Sequence, residues 1–146
     1  MTIAIASDHA GYPLKNVLVE YVKELGFDID DLGCYSEEST DYPIYAEKLC
    51  REVVAGKYDR GILVCGTGIG MSMAANKVPG IRAALCNDCY CVEMARKHND
   101  ANVLCLGGRV LGNELAKKIV YIYLDAVFVP VEHHVKRLKM IKELEK

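Results

Sequence analysis

The sequence predicts an α/β fold: a single domain over residues 1–146, with a doubly wound, five-stranded parallel sheet and an extra C-terminal helix. Three observations predict it. Short apolar runs of strand length alternate with longer stretches whose apolar residues recur at helical spacing. Gly26 and Gly56 close two of the helical stretches, where a chain leaving a helix favours glycine. The run Ile62–Val64 passes straight into Cys65-Gly66-Thr67-Gly68-Ile69-Gly70, a glycine-rich junction between a buried strand and a helix.

In chain order, Ile3–Ser7 is a short apolar strand and Asp8-His9-Ala10-Gly11 the loop behind it. Pro13 suits a first helical turn, and Leu14, Val17, Leu18, Tyr21, Val22 and Leu25 share one face. Asp28–Gly33 is a weaker strand pattern, its large apolar residues being Ile29 and Leu32. Asp41-Tyr42-Pro43 signals an N-cap and helix start, followed by a stripe of Ala46, Leu49, Cys50 and Val53. Met71 to Lys77 continues the central junction as a helix. Arg82–Cys86 is a fourth strand, and Tyr90–His98 a helix with Cys91, Met94, Ala95 and His98 on its apolar face. Asn102–Leu106 is a fifth strand, ended by Gly107-Gly108-Arg109. Asn113 caps a helix carrying Leu115, Ile119, Ile122 and Ala126, and Val129-Pro130 breaks the chain before a last helix from about Glu132. That helix, within 132–146, is marginal alone and carries Val135, Leu138 and Ile141 on one side. Since the sheet already has its helices, a second subunit is the expected cover.

Composition narrows the class. With 51% hydrophobic and 26% charged residues the chain reads as an ordinary globular protein. A formal net charge of −2, with no basic run outside the last helix, gives no case for nucleic acid. No apolar run is long enough for a membrane span, and Met1 leads at once into a strand, so neither membrane nor secretory targeting is expected. Seven scattered cysteines fit free thiols and a reducing cytoplasm.

Chemistry gathers at the central junction. Its glycines let backbone N–H groups approach an anionic oxygen, and a helix N-terminus adds partial positive charge. A thiol beside such donors is biased towards thiolate, the form that acts as base or nucleophile. The pattern is G-x-G-x-G, with Met71 where a dinucleotide fold has its third glycine, and no Walker Lys-Ser/Thr pair follows. A tight turn around a buried cysteine would leave the same trace. With strand order 2-1-3-4-5, the ligand crevice lies between strands one and three. Asp8, His9, Cys65 and the glycine cradle then converge on it.

His98 sits awkwardly. It ends the helix before strand five and so belongs at the amino edge of the sheet, about one strand length, roughly 17 Å, from the crevice. It is either a core histidine or a group that serves a neighbour's site. Cys86, Cys89 and Cys91 lack the second paired knuckle of a zinc site, so no metal is expected there. His133-His134, close to Lys136 and Arg137, fits a solvated helix start or an anion clamp.

Taken together, Ser7-Asp8-His9-Ala10-Gly11, Thr40-Asp41-Tyr42-Pro43, Cys65-Gly66-Thr67-Gly68-Ile69-Gly70, Ala74-Ala75-Asn76-Lys77, Gly80-Ile81-Arg82-Ala83 and His98-Asn99-Asp100-Ala101-Asn102 resemble the type B ribose-5-phosphate isomerases. That family includes the galactose-6-phosphate isomerase subunits. The resemblance implies a cytoplasmic aldose–ketose isomerase of the pentose phosphate pathway, working through an enediolate without metal or other cofactor. It implies Cys65 as base, Gly66, Thr67, Gly68, Ile69 and Gly70 as the oxyanion cradle, and Thr67 with His98 as ring-opening groups. Asp8, His9, Tyr42 and Asn99 match substrate-binding positions, and Arg109 and Arg137 match phosphate binders, as does position 133. The implied partners are a small sugar phosphate and a second copy of the chain, as a dimer or a dimer of dimers, with the active site shared between subunits.

Two positions depart from the family pattern. Some members carry a glutamate base where this chain has Met71, which cannot accept a proton, so Cys65 alone is left for that role. Many carry arginine where this chain has His133, a change that weakens the phosphate clamp or makes it depend on pH. The rival readings are a galactose- or allose-6-phosphate isomerase of the same family and, from another class, a non-catalytic sugar-phosphate-binding module.

Overall fold

Five parallel strands, β1 (Thr2–Ser7), β2 (Asp28–Asp31), β3 (Arg60–Cys65), β4 (Ala83–Leu85) and β5 (Val103–Gly107), alternate with helices in the computed structural model, which describes residues 1–145. The helices are α1 (Tyr12–Glu24), α2 (Tyr42–Val54), α3 (Ile69–Ala75), α4 (Cys89–Lys97) and α5 (Asn113–Asp125), and α6 (Glu132–Glu143) follows. The expected fold class is present.

The strand order is β2-β1-β3-β5-β4, so the expected order 2-1-3-4-5 is corrected at its last two strands. Burial explains the exchange. All of β5, Val-Leu-Cys-Leu-Gly, is buried, which requires a neighbour on each side and a helix on each face. β4 is three residues long and only half buried, which suits an edge. The reversal of winding between β1 and β3 is untouched, so the predicted crevice keeps its place.

The pleat divides the apolar residues between two cores. Ile3, Ile5, Ile62, Val64, Leu104 and Leu106 face α1, α4 and α5, while Ala4, Ala6, Leu63, Cys65, Val103 and Cys105 face α2 and α3. Cys65 therefore enters the α2–α3 side. The fully buried Lys15 binds the Asp31 carboxylate at 2.6 Å and the Cys34 carbonyl, tying α1 to the loop that leads to α2. An unpaired ammonium at this depth would be costly, so the pair also selects that loop's path.

Several local expectations shift. Asp41 stands at the N-cap of α2 but its side chain makes no capping hydrogen bond. Gly112, rather than Asn113, precedes α5, and that helix buries Ala116, Ile119, Val120, Tyr123 and Leu124 while Leu115 is exposed. In α4 the inner face is Val92, Ala95 and Arg96, with Cys91 exposed. In α6 only His134 is buried, and Val135, Met140 and Ile141 remain exposed. No helix among the described residues is long and apolar enough to cross a membrane.

Candidate active site

β3 delivers Cys65 to the carboxyl edge of the sheet, where it is 5% exposed. Its Sγ accepts a hydrogen bond from the Gly68 N–H at 3.2 Å. Gly68 holds a left-handed φ of +81°, and a Cβ there would strike Leu85. β5 supports the cradle from beside it: Gly107 is the register partner of Cys65, and a Cβ on it would come within 2.8 Å of the Thr67 carbonyl oxygen. Gly108 N–H donates to the Cys65 carbonyl at 2.7 Å and Arg109 N–H to the Gly66 carbonyl at 3.0 Å. These bonds bring the Arg109 side chain to within contact of Gly66. Since α3 has only seven residues, its individual N–H groups matter here more than any macrodipole.

The β1–α1 loop forms the facing wall. Asp8 Oδ1 accepts from the N–H groups of Ala10 and Gly11, both at 3.0 Å, and so braces the turn. The Thr40 N–H donates to His9 Nδ1 at 3.1 Å. A nitrogen that accepts carries no proton, so the neutral ring bears its hydrogen on Nε2 and offers it as a donor. Tyr42, at the start of α2, lies directly over Gly70, where a Cβ would meet its ring at 2.6 Å.

Asp8, His9, Tyr42, Cys65, Gly66, Thr67, Ile69, Gly70 and Arg109 line one crevice of about 490 Å³. Gly68 lies behind the sulfur rather than on the lining. Met73, which the sequence places only within the Met71–Lys77 helix, also lines it and is 66% exposed. Its outward spacing beside Ile69 was the available signal.

His98, Asn99, His133 and Arg137 do not line this crevice. His98 follows the last turn of α4 and is exposed, so the core-histidine reading is corrected. Val103, just beyond it in the chain, pairs with Gly61, while Gly107 pairs with Cys65, four residues or about 13 Å further along the sheet. The His98 ring lies 4.4 Å from that of His134, which is 4.3 Å from His133. The buried His134 anchors the group by donating from Nδ1 to the Val129 carbonyl at 2.8 Å. His133 is exposed, but partial desolvation by the groups around it lowers its pKa below its ordinary value, and His134, Arg137 and His98 lower it further by repulsion. Asn99 borders a separate cavity with Arg82, Leu138 and Ile141.

Three of the other thiols, Cys50, Cys86 and Cys105, are buried in the core. Burial pushes Cys50 and Cys86 up to about 12 and raises Cys105 as well, so they stay protonated at neutral pH. Cys86, Cys89 and Cys91 are free, with Asp88 accepting from the Cys91 N–H as the cap of α4. Among the described residues no three His, Cys, Asp or Glu side chains are grouped as metal ligands.

The Ribose/Galactose Isomerase family model matches residues 3–141. The chain belongs to that family. It is 46% identical over 143 residues to the ribose-5-phosphate isomerase B of Escherichia coli, covering 98% of this chain and 95% of that one. A ribose-5-phosphate isomerase B structure from Clostridium thermocellum superposes with a TM-score of 0.97 at 48% identity, covering 99% of this chain and 97% of that one. The type B ribose 5-phosphate isomerase structure of Trypanosoma brucei gives 0.96 at 49% identity, covering 99% and 98%.

Proposed function

We propose that this chain interconverts ribose 5-phosphate and ribulose 5-phosphate through a cis-enediolate, with Cys65 moving the proton between C2 and C1. The observation that carries the reading is the thiol's setting: Sγ at the crevice, met by the Gly68 N–H, beside His9 and Arg109. Membership of an isomerase family supports the reaction class, and the relatives named ribose-5-phosphate isomerase B favour the pentose substrate.

A base must lie within reach of the proton it moves and must become charged without penalty when it gives that proton up. Cys65 takes the proton from C2 of the open aldose, and the electron pair shifts into the C1–C2 double bond and on to the C1 oxygen. The same thiol returns its proton to C1, the hydroxyl proton passes from O2 to O1, and the carbonyl forms at C2. Backbone N–H groups of the cradle hold the enediolate oxygens, where charge develops. Met71 is buried and has no proton to exchange, which leaves the thiol without a competing carboxylate at that position.

Ring opening needs a donor at the ring oxygen and an acceptor for the C1 hydroxyl proton. Thr67 and His98 take these roles in our reading, with His98 and Asn99 coming from a second copy of the chain. Support for a homodimer comes from the separation of His98 from the Cys65 crevice and from the exposed apolar residues of α6, in the segment 132–146. Arg109 and His9 hold the phosphate from one side, Arg137 and His133 from the second copy, and Asp8 and Tyr42 shape the sugar subsite. The domain acts as one unit, without a cofactor, in the cytoplasm, and dimers of dimers are compatible with it.

A galactose- or allose-6-phosphate substrate is the alternative, because the family model that the chain matches spans both ribose and galactose isomerases. Assaying the purified chain on ribose 5-phosphate, allose 6-phosphate and galactose 6-phosphate decides it. The highest kcat/KM on ribose 5-phosphate is expected. A six-carbon preference would move the substrate, and binding without turnover of any of the three would remove the isomerase reading.

A further inference from the structure

We propose that Arg82 is a positioning residue, setting the loop that carries His98 and Asn99. The inference rests on the shared-site reading above. It accounts for two sequence motifs that the crevice leaves unused, Gly80-Ile81-Arg82-Ala83 and the Asp100-Ala101-Asn102 end of the next.

Helix α4 ends at Lys97, and the carbonyls that follow have no helical partner. Arg82 supplies one. Its Nε donates to the Asn99 carbonyl at 3.2 Å and the Asp100 carbonyl at 3.1 Å, and its Nη2 donates to the Asp100 carbonyl at 2.9 Å. The same guanidinium lies 3.5 Å from Asp100 Oδ2. Its backbone is held as well: Arg82 N–H donates to Asn102 Oδ1 at 2.7 Å, and Asn102 Nδ2 donates to the Gly80 carbonyl at 2.9 Å. Asp100 has a left-handed φ of +46°, uncommon for a residue with a side chain, so the turn needs such outside support.

A second arginine grips the loop, with a different consequence. Arg96 Nη1 donates to Asp100 Oδ1 and to the Ala101 carbonyl, both at 2.8 Å. Arg96 is 5% exposed, with Nε unpartnered among the described residues, so its removal would disturb the core. The Arg82 side chain is 32% exposed, and its loss can be met by water on the freed carbonyls. What Arg82 contributes is therefore the path of residues 98–100 rather than the fold. A lysine in its place keeps the charge but lacks the planar fork that reaches two successive carbonyls.

Activity is expected to fall about tenfold or more in Arg82→Ala, with Arg82→Lys between it and wild type, because small misplacement of a reacting group is costly. The deciding experiment pairs variants. Arg82→Ala and Cys65→Ala chains are unfolded together and refolded as mixed dimers, with His98→Ala plus Cys65→Ala as the parallel arm. If Arg82 acts through His98 on the other subunit's sulfur, each mixed dimer has one site free of both changes, and activity rises to about a quarter of wild type on random pairing. If Arg82 acts on its own chain's Cys65, every site in the mixed dimer carries a defect and no recovery appears. Recovery in the His98 arm alone overturns the role of Arg82 and leaves the shared site standing. Failure of both arms overturns the shared-site reading. Wild-type activity in Arg82→Ala overturns the inference directly.

Discussion

The Gly68 N–H points at Cys65 Sγ from 3.2 Å, across a turn that the left-handed φ of Gly68 closes. A sulfur used as a base must carry charge for part of the cycle, and this amide is already aimed at it. On the proposed mechanism, that one sulfur is answerable for proton transfer.

Cys65→Ala and Cys65→Ser are each expected to lower kcat by more than about 100-fold, with substrate affinity largely kept. A serine hydroxyl is a far weaker base at neutral pH. Steady-state kinetics, with binding of a non-reacting sugar-phosphate alcohol as control, read the two quantities apart. Near-wild-type turnover in the alanine variant would take sulfur out of the mechanism.

Gly107 tests the cradle's support. An alanine there would press within 2.8 Å of the Thr67 carbonyl oxygen, and backbone cannot swing aside as a side chain can. Gly107→Ala is expected to cost about 1–3 kcal/mol of stability, as overpacking does. It should also reduce kcat, since Thr67 and the cradle amides move with the displaced backbone. Urea unfolding and kinetics on the same preparation check both; an unchanged kcat would mean that the cradle tolerates the shift.

His133 has its pKa lowered from its ordinary value of 6.5 by partial desolvation and by repulsion from His134, Arg137 and His98, so in the free protein its neutral form is favoured more than in a free imidazole. Phosphate held beside His133, as proposed, favours the protonated ring, and binding then takes up a proton. Affinity should strengthen as pH falls towards and below 6.5 and weaken as pH rises. His133→Arg, charged throughout, should flatten that slope once the phosphate's own ionisation is subtracted. The same slope in both proteins would place His133 away from the phosphate.

Much of this was legible in the residues, for physical reasons. Strand–helix alternation and the glycine junction at Cys65 depend on local spacing, which sequence carries directly, and the crevice followed from the winding reversal between β1 and β3. The exchange of β4 and β5 was not legible, because Ala83–Leu85 and Val103–Gly107 look alike as short apolar runs and only their burial separates centre from edge. His98 was readable as lying at the wrong edge of the sheet, since helix direction alone sets that. Its stacking on His134 was not, because the chain from Ala126 to Val131 has no periodic pattern to say where it returns. The grip of Arg82 on Asn99 and Asp100 joins residues far apart in sequence through carbonyls, which no side-chain motif encodes.

The central claim is that one site draws on two chains, and mixed dimers of two inactive variants test it most directly. Cys65→Ala and His98→Ala are each expected to disable every site in their own homodimers. Paired, they form one site lacking both groups and one with both intact. About half of randomly paired dimers are mixed, each with one of two sites working, so activity should return to roughly a quarter of wild type. No recovery, in a sample where mass spectrometry shows the mixed dimers to be present, would contradict the shared site and return His98 to its own chain.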